Sequence, residues 1–242
     1  MSAAPDIIVA TAGWSIPSAC APDFPGEGSH LERYARVLPG VEINSSFYRP
    51  HRLATWRRWA DAVPPAFRFA VKLPGAITHQ RRLVGAEEPL DAFAAETAEL
   101  GGKLNVVLVQ LPPSLAFDAA VADAFFAALR ARVSASLACE PRHPSWFTDQ
   151  AEACLAGRRV ARVAAHPLVV PAAERPGGWA GLCYHRLHGA PRVYHSPYDE
   201  DALRALAGTL RAEGGRRWCV FDNTASGAAT ANALGMRGLL GG

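Results

Sequence analysis

The chain is poor in lysine. Only Lys72 and Lys103 are lysines among its 25 basic residues, and the other 23 are arginines. The formal net charge is +3 and charged residues make up 19%, which is too weakly basic for a protein that coats nucleic acid. Hydrophobic residues account for 50% of the 242 residues. That content supports a sizeable core and argues against a disordered chain.

Long apolar runs and paired cysteines are absent. No run approaches the ~18 consecutive apolar residues that cross a bilayer. The first residues lack the basic and apolar stretches of a secretory signal. The five cysteines are odd in number and none forms a C-x-x-C pair, so we expect free thiols in a reducing compartment. These absences predict a cytoplasmic protein that does not enter a membrane.

Several catalytic and cofactor motifs are also missing. The chain has no G-x-G-x-x-G, no G-x-x-x-x-G-K-[ST], no H-E-x-x-H and no G-x-S-x-G, so the common signatures of nucleotide, zinc-protease and serine-hydrolase sites are absent. Glu42, Glu140, His188 and Asp222 have the oxygen and nitrogen donors that metals bind. Without a ligand spacing pattern the cofactor stays unknown, and a divalent metal is left open.

Eight apolar segments predict β-strands. Several are continuous apolar runs, which are typical of parallel strands covered on both faces. They are residues 7–13, 40–46, 68–74, 105–112, 136–142, 159–165, 182–188 and 218–224.

Helical patterns fill the intervals between these segments, with apolar residues spaced near 3.6. They cover residues 30–37, 53–63, 89–102, 119–131, 149–157, 199–215 and 226–235. Because strand and helix alternate along the whole chain, parallel βαβ units follow. Eight such units favour an α/β protein that forms a single (β/α)8 TIM-type barrel, one domain over residues 1–242. An open doubly wound sheet is the alternative.

Polar side chains stand at the ends of most predicted strands, where a barrel collects its functional groups. Because strand side chains alternate with a period of two, Glu140 and Arg142 share a face, as do Arg186 and His188. A structural network of ion pairs is the alternative interpretation. The residues at these positions are Glu42, Asn44, Lys72, Gln110, Glu140, Arg142, His143, Arg186, His188, Asp222 and Asn223.

Lys72 ends an apolar strand, so three roles are open to it: Schiff-base amine, anion contact or ion-pair partner. Burial would lower its pKa, whereas a nearby carboxylate would keep it charged; we favour the charged role. His79 follows in the next loop beside Arg81 and Arg82. With the segment FYRPHR over residues 47–52, these arginines predict a basic rim for a phosphate, a carboxylate or a nucleic-acid backbone. A solvated surface is the alternative.

The segment CEPRHPSWF, residues 139–147, is the most specific local string. It places an acid, a guanidinium and an imidazole within four residues, which gives an orienting pair and a general base. We expect Glu140, oriented by Arg142 or Arg186, to act as general base or metal ligand. Trp146 would stack on a substrate ring or pack over the end of the barrel.

An ordered series of motifs runs from residue 11 to residue 233: TAGW, VEINSSFY, KLPGAITH, QLPPS, EPRHPSW, RLHG and FDN-x3-GAATANA. In this order they resemble the YecE-like family, the domain of unknown function numbered 72. The resemblance implies a TIM-type barrel, a cytoplasmic location and no established reaction. The family motifs fall on Trp14, Glu42, Asn44, Phe47, Tyr48, Lys72, His79, Gln110, Glu140, Arg142, His143, Trp146, Arg186, His188, Gly189 and Asn223.

The chain departs from the family pattern in three places. Asp222 stands where the family usually has asparagine, and His185 stands where valine is common. After Trp14 the chain also lacks the second tryptophan and the aromatic residue of many members. These departures place the role of the last strand in question more than that of the segment from Glu140 to His143.

The resulting hypothesis is an enzyme with hydrolase-type or acid/base chemistry on an anionic, phosphate-bearing or sugar-like substrate. Two alternatives are a nuclease-like or nucleic-acid-binding barrel and a non-catalytic metabolite-binding protein. The oligomeric state is left open. The predicted catalytic residues are Glu42, Lys72, Glu140 and His188. The predicted substrate-binding residues are Asn44, Tyr48, His79, Gln110, Arg142, His143, Trp146, Arg186 and Asn223.

Overall fold

The structure is a computed structural model that describes residues 7–241. The strands are β1 (Ile7–Thr11), β2 (Gly40–Ile43), β3 (Arg68–Lys72), β4 (Leu104–Gln110), β5 (Ser136–Glu140), β6 (Val160–Arg162), β7 (Ala164–His166), β8 (Gly177–Gly178), β9 (Leu182–Leu187) and β10 (Arg216–Phe221). The α-helices are α1 (His30–Ala35), α2 (Leu53–Asp61), α3 (Glu87–Thr97), α4 (Ala119–Arg130), α5 (Asp149–Gly157), α6 (Glu200–Ala212) and α7 (Ala228–Leu240).

The strands form two sheets, with the orders β1-β10-β9-β7 and β2-β3-β4-β5-β6-β8. Every strand pair is parallel except that of β6 with the short β8. Strands that follow each other in the chain are mostly neighbours, and helices connect them. The expected α/β class with parallel sheets is therefore confirmed.

The two sheets adjoin at both ends. On one side Ala12 forms a parallel bridge with Glu42, and the Gly13 amide donates to the Glu42 carbonyl at 2.8 Å. On the other side β6 and β7 are separated by Val163 alone, yet β6 pairs with β5 and β7 pairs with β9. The single strand expected over residues 159–165 is thus two short strands, because the chain changes its hydrogen-bonding partner at Val163.

Local sequence signals set the helix boundaries. Asp118 caps α4 by accepting hydrogen bonds from the amides of Ala120 and Val121 at 2.9 and 3.0 Å. The helix predicted over residues 226–235 instead continues to Leu240 and ends at Gly241, whose φ of 84° suits a left-handed cap. Gly235 lies within α7, where it leaves room for the side chain of Leu203 on α6.

The core has two layers. The larger cluster joins the helices to one face of the strands, whereas the second is built from strand and strand-end residues and contains no helix residue. In the second cluster small alanines surround Tyr184 and Trp218, whose rings stack at 5.9 Å. The Trp218 indole donates to Asn105 Oδ1 at 2.9 Å. The strand face opposite the helices is therefore filled with side chains, and its charged groups lie toward the carboxyl ends of the strands.

The five cysteines are free thiols, and three of them are buried. Within residues 7–241, no helix combines the length and the apolar character needed to cross a bilayer.

Candidate functional site

Charged and polar side chains are buried together at the carboxyl ends of β2 to β5 and of β9 and β10. We call this group the charged cluster. Each member comes from a strand end or the residues just after it, so parallel pairing brings them to one edge. The cluster consists of Glu42, Gln110, Glu140, Arg142, Arg186, His188 and Asp222, with Lys72 beside it.

Arg186 lies at the centre of the charged cluster and is completely buried. It donates to Glu42 from Nε at 3.0 Å and from Nη2 at 2.6 Å, and to Glu140 from Nη1 at 2.8 Å. Its Nη2 also lies 3.0 Å from Asp222 Oδ2. Burial alone would lower its pKa, but these carboxylates hold the pKa well above the usual value. Arg186 is therefore a fixed cation between three carboxylates.

Both oxygens of Glu140 are engaged. Oε1 lies 2.5 Å from Arg142 Nη2 and 2.9 Å from His188 Nε2. Oε2 accepts hydrogen bonds from Arg186 and from Gln110 Nε2, the latter at 3.1 Å. Burial alone would raise the pKa of Glu140, but the two guanidinium groups outweigh it and hold the pKa well below its usual range. Glu140 is thus ionised at neutral pH. The sequence left open whether burial or a nearby guanidinium would decide its protonation, and in the structure the two arginines decide it.

His188 lies between two carboxylates. Its Nδ1 is 3.0 Å from Asp222 Oδ2, and its Nε2 is 2.9 Å from both Glu140 Oε1 and Arg142 Nη2. Nε2 cannot donate to Glu140 and accept from Arg142 at the same time. Burial would raise the pKa of Asp222, but Arg186 and His188 lower it. Asp222 is therefore an ionised acceptor for Nδ1–H, and Nε2 has two alternative hydrogen-bonding states.

Tyr184 is a member of the site that sequence reasoning missed. Its hydroxyl donates to Glu42 Oε2 at 2.8 Å. Tyr184, Arg186 and His188 share one face of β9, so the period of two that groups Arg186 with His188 also includes Tyr184. The alternation of side chains along β9 was therefore the sequence signal that could have identified Tyr184.

Asp222 and His185, which depart from the family pattern near the last two strands, lie in different places. Asp222 belongs to the charged cluster through Arg186 and His188. His185 faces the opposite way on β9, and its Nε2 lies 2.9 Å from Glu213 Oε1 just beyond α6. His185 therefore lies outside the cluster.

Lys72 differs from the other cations. Its side chain is only 5% exposed, and among the described residues its Nζ has no hydrogen-bond or ion-pair partner. Nζ instead lies 4.0 Å from the centroid of the Phe47 ring. Burial and Arg186 lower the pKa of Lys72 to about 8, although the carboxylates of the cluster act in the opposite direction. The amine is therefore mostly charged at pH 7 with unfilled donors.

Further buried polar atoms near the cluster lack partners among the described residues. They include Asn44 Oδ1, Arg142 Nε and Asn223 Oδ1. The amide nitrogen of Asn223 is used, because it donates to the Ser196 carbonyl at 3.0 Å and to Asn232 Oδ1 at 2.9 Å. The side chain of Arg142 is 20% exposed. Buried polar atoms are rarely left unpaired in native proteins, so these three atoms stand out among the described residues.

His79 and Tyr48 line a cavity of about 500 Å³ together with Phe47, whose ring contacts Lys72. The His79 ring contacts Phe47 edge-on at 4.9 Å, and its Nδ1 is 2.8 Å from Thr78 Oγ1. Burial, with a smaller contribution from Lys72, lowers the pKa of His79. Tyr48 is 75% exposed and lies edge-on to Phe47 at 5.0 Å. The structure thus places these two predicted residues on the rim.

His143 and Trp146 lie outside the charged cluster's network of contacts. The side chain of His143 accepts a hydrogen bond from the Ser145 amide at 3.2 Å and so caps the short helical turn Pro144–Trp146. Trp146 is buried, and its indole donates to the Leu115 carbonyl at 2.9 Å. Its ring lies edge-on to Phe117, with ring centroids 5.0 Å apart.

Two arginines of the expected basic rim, Arg81 and Arg82, bond to their own surroundings. Arg81 donates to the Gly85 carbonyl and Arg82 to the Ser114 carbonyl, both at 2.8 Å. His51 is half-buried, with Nε2 at 2.9 Å from Ser45 Oγ. These contacts stabilise loops and leave fewer free donors for a nucleic-acid backbone.

The arrangement of possible metal ligands gives little support for a bound metal ion. Within residues 7–241, no group of three or more His, Cys, Asp or Glu side chains is arranged to hold an ion. Around Glu140 the positions that a cation would occupy are taken by Arg142 and Arg186.

Comparison with known families agrees with this architecture. The family model described as "Protein of unknown function DUF72" matches residues 8–242. The chain belongs to the DUF72 family. This confirms the resemblance drawn from the ordered motifs.

Curated DUF72-type relatives carry no activity in their names. UPF0759 protein YunF of Bacillus subtilis is 28% identical over 150 residues, which are 59% of this chain and 52% of YunF. UPF0759 protein YecE of Escherichia coli K12 is 30% identical over 82 residues, 34% of this chain and 30% of YecE. The matches thus span about half or less of the length of these relatives.

Solved structures of DUF72 proteins share the fold. A crystal structure from Enterococcus faecalis V583 matches with a TM-score of 0.80 and 22% identity, over 97% of this chain and 95% of that chain. Another, from Thermotoga maritima MSB8, matches with a TM-score of 0.78 and 23% identity, over 98% of this chain and 99% of the other.

Proposed function

We propose that this DUF72 protein is an enzyme that acts on a small anionic substrate, phosphate-bearing or sugar-like, at the carboxyl-terminal mouth of a closed (β/α)8 TIM-type barrel. Two contacts support closure. The bridge between Ala12 and Glu42 links β1 to β2, and the partner change at Val163 links β5 through β6 and β7 to β9. An active site at the carboxyl ends of the strands is the usual arrangement in such barrels.

The observation that carries the proposal is the unpartnered ammonium of Lys72. A buried cation is costly unless it is paired, and among the described residues Nζ has no ion-pair partner and lies 4.0 Å from the centroid of the Phe47 ring. The guanidinium of Arg142, whose side chain is 20% exposed, adds a second cation at the same end of the strands. A bound phosphate or carboxylate would pair with both groups, since charge-assisted hydrogen bonds to such anions are strong.

The proposed acid/base group is His188. Ionised Asp222 orients its Nδ1–H, which leaves Nε2 to accept a proton when the ring is neutral. Arg142 lies 2.9 Å from the same nitrogen and would bring a bound anion beside it. Glu42 pairs with Arg186, and Glu140 pairs with both Arg186 and Arg142. The role of the two carboxylates is therefore to position these cations.

Two other functions are distinguished by measurement. A nucleic-acid-binding barrel would lose affinity steeply with added salt, because phosphate-backbone binding releases counterions. The loop contacts of Arg81 and Arg82 make this alternative weaker. A non-catalytic binding protein would retain its ligand without turnover.

The test compares the wild type with Lys72→Met by titration calorimetry at pH 7, using inorganic phosphate as the probe. We expect the wild type to bind phosphate and the variant to bind at least about tenfold more weakly, since one charge-assisted contact is lost. Arg57→Met is the matched control, because it removes one charge from an exposed pair with Glu99. Equal affinity in wild type and Lys72→Met would overturn the anion site. Release of phosphate from a panel of phosphorylated sugars then tests turnover.

A further inference from the structure

The cavity of about 500 Å³ beside the charged cluster has no role in the chemistry described so far. Its walls are largely apolar and come from the turn after β2, the turn after β3 and helix α3. They include Phe47, Tyr48, Pro74, Ile77 and Phe93. Its volume lies within the range of small-molecule sites.

Phe47 belongs both to this cavity and to the surroundings of Lys72. One of its contacts is with Lys72 Nζ at 4.0 Å, and another is with the His79 ring at 4.9 Å. Gly75 leaves room for the ring, because a Cβ atom at that position would lie 2.9 Å from Phe47 Cζ. Phe47 is therefore shared by the cavity and the surroundings of Lys72.

The cavity offers aromatic and hydrogen-bonding surfaces together. Tyr48 is unusually exposed for a large aromatic residue and meets Phe47 edge-on. The Nδ1 of His79 is used by Thr78, whereas its Nε2 has no partner among the described residues. Aromatic rings favour offset or edge-to-face neighbours, and an imidazole at the edge can hydrogen-bond a ring heteroatom.

We infer that this cavity binds a flat aromatic or heteroaromatic group that is covalently attached to the anion held by Lys72. The inference rests on the proposed function and names its substrate class: an aromatic phosphate or carboxylate rather than a purely aliphatic sugar phosphate. The ring lies against Phe47 and Tyr48, and the anion reaches Lys72 and Arg142.

The experiment compares three probes by calorimetry at pH 7: inorganic phosphate, cyclohexyl phosphate and phenyl phosphate. We expect phenyl phosphate to bind wild type at least about tenfold more tightly than inorganic phosphate, and more tightly than its saturated counterpart, because aromatic contacts add to the burial of area. The cavity is then filled by Ala92→Trp, since Ala92 is an exposed residue of α3 that lines it. This variant should lose the preference for phenyl phosphate and keep its affinity for inorganic phosphate within about twofold, because Lys72 is untouched.

Ala95→Trp is the matched control, since Ala95 is exposed on the same helix and does not line the cavity. Wild type that binds inorganic phosphate but shows no preference for phenyl phosphate overturns this inference and leaves the proposed function standing. An unchanged preference in Ala92→Trp overturns it as well. If none of the three probes binds wild type, the proposed function fails and the inference falls with it.

Discussion

At the scale of single residues, Arg186 governs the charge balance of the site. It is the shared partner of Glu42, Glu140 and Asp222, and all four groups are removed from water. A buried ion pair adds little net stability compared with apolar residues, but removal of one partner leaves uncompensated charge. Arg186 is therefore far more sensitive to substitution than any surface arginine.

Arg186→Met should lower the free energy of unfolding by about 3–5 kcal/mol or prevent folding, because three buried carboxylates lose their common cation. Urea unfolding at pH 7 measures the loss. Arg57→Met serves as the control and should unfold close to wild type, since exposed pairs contribute little. If Arg186→Met were as stable as wild type within error, the three buried carboxylates would not depend on Arg186 for compensation of their charge.

Lys72→Met should stabilise the protein at pH 7 while it weakens anion binding. The pKa of Lys72 is about 8 in the folded protein against an ordinary 10.5, a difference worth up to about 3 kcal/mol. Between these values the unfolded chain binds more protons than the folded one, so stability rises with pH. The advantage of Lys72→Met should therefore shrink from pH 7 to pH 10, as followed by urea unfolding. A variant less stable than wild type at pH 7 would contradict this.

Residue-level reasoning from the sequence reached the members of the cluster but not their pairing. Strand parity placed Arg186 with His188 and Glu140 with Arg142, whereas Glu42 and Arg186 are 144 positions apart. Their contact depends on how distant strands are arranged, which no local pattern encodes. The protonation of Glu140 likewise depends on distances to two guanidinium groups, so it could not be decided from an apolar strand alone.

At the scale of strands, β2 begins at a position that admits only glycine. A Cβ atom at Gly40 would lie 2.6 Å from Ile8 Cγ2 and 2.9 Å from the Arg68 carbonyl oxygen. Gly40→Ala should therefore destabilise the protein by about 1–3 kcal/mol through overpacking. Gly102→Ala is the control, because a Cβ atom there meets nothing within 4 Å. Thermal unfolding of both variants decides the matter, and equal melting temperatures would refute the steric argument.

The proposed closure of the two sheets into a barrel predicts slow hydrogen exchange at the two junctions between them. The Gly13 amide donates to the Glu42 carbonyl, and the Val163 amide donates to the Cys139 carbonyl, each at 2.8 Å. In a closed barrel these two amides should exchange as slowly as the amides within the β3–β4 pair, because neither junction is an open edge. Exchange measured by NMR tests this. Rapid exchange at Gly13 would indicate an open sheet.

Element-level prediction succeeded where the chain itself carries the signal. The strand segments and helices follow from apolar periodicity, and their observed bounds lie close to the expected ones. The partner change at Val163 and the two-residue strand β8 depend on tertiary pairing. The run RVARVAA, residues 159–165, carries two arginines but no glycine or proline, so its division had no turn residue to mark it.

At the scale of the whole molecule, acid should unfold the protein through the charged cluster. The pKa of Glu140 is held well below its ordinary 4.5 and that of Asp222 below 3.8. Their contribution is fully present above those ordinary values and is lost as pH falls toward the lower, folded-state values. We expect the melting temperature to fall steadily below about pH 4.5, as measured by calorimetry. A flat profile from pH 6 to pH 3 would contradict a stabilising role for these carboxylates.

The shared contacts of Arg186 also constrain how such a site changes over evolutionary time. Each carboxylate in the cluster contacts two or more cationic or hydrogen-bonding groups. A single substitution that alters one charge therefore produces a protein with an uncompensated charge in its interior. Viable routes require paired replacements or a prior gain of stability elsewhere. Tyr48, which is exposed and outside the network, is free to change in one step. New substrate preferences should therefore arise first on the rim, while a change among the charges beneath it, such as Asp222 in place of the usual asparagine, needs a compensating change elsewhere.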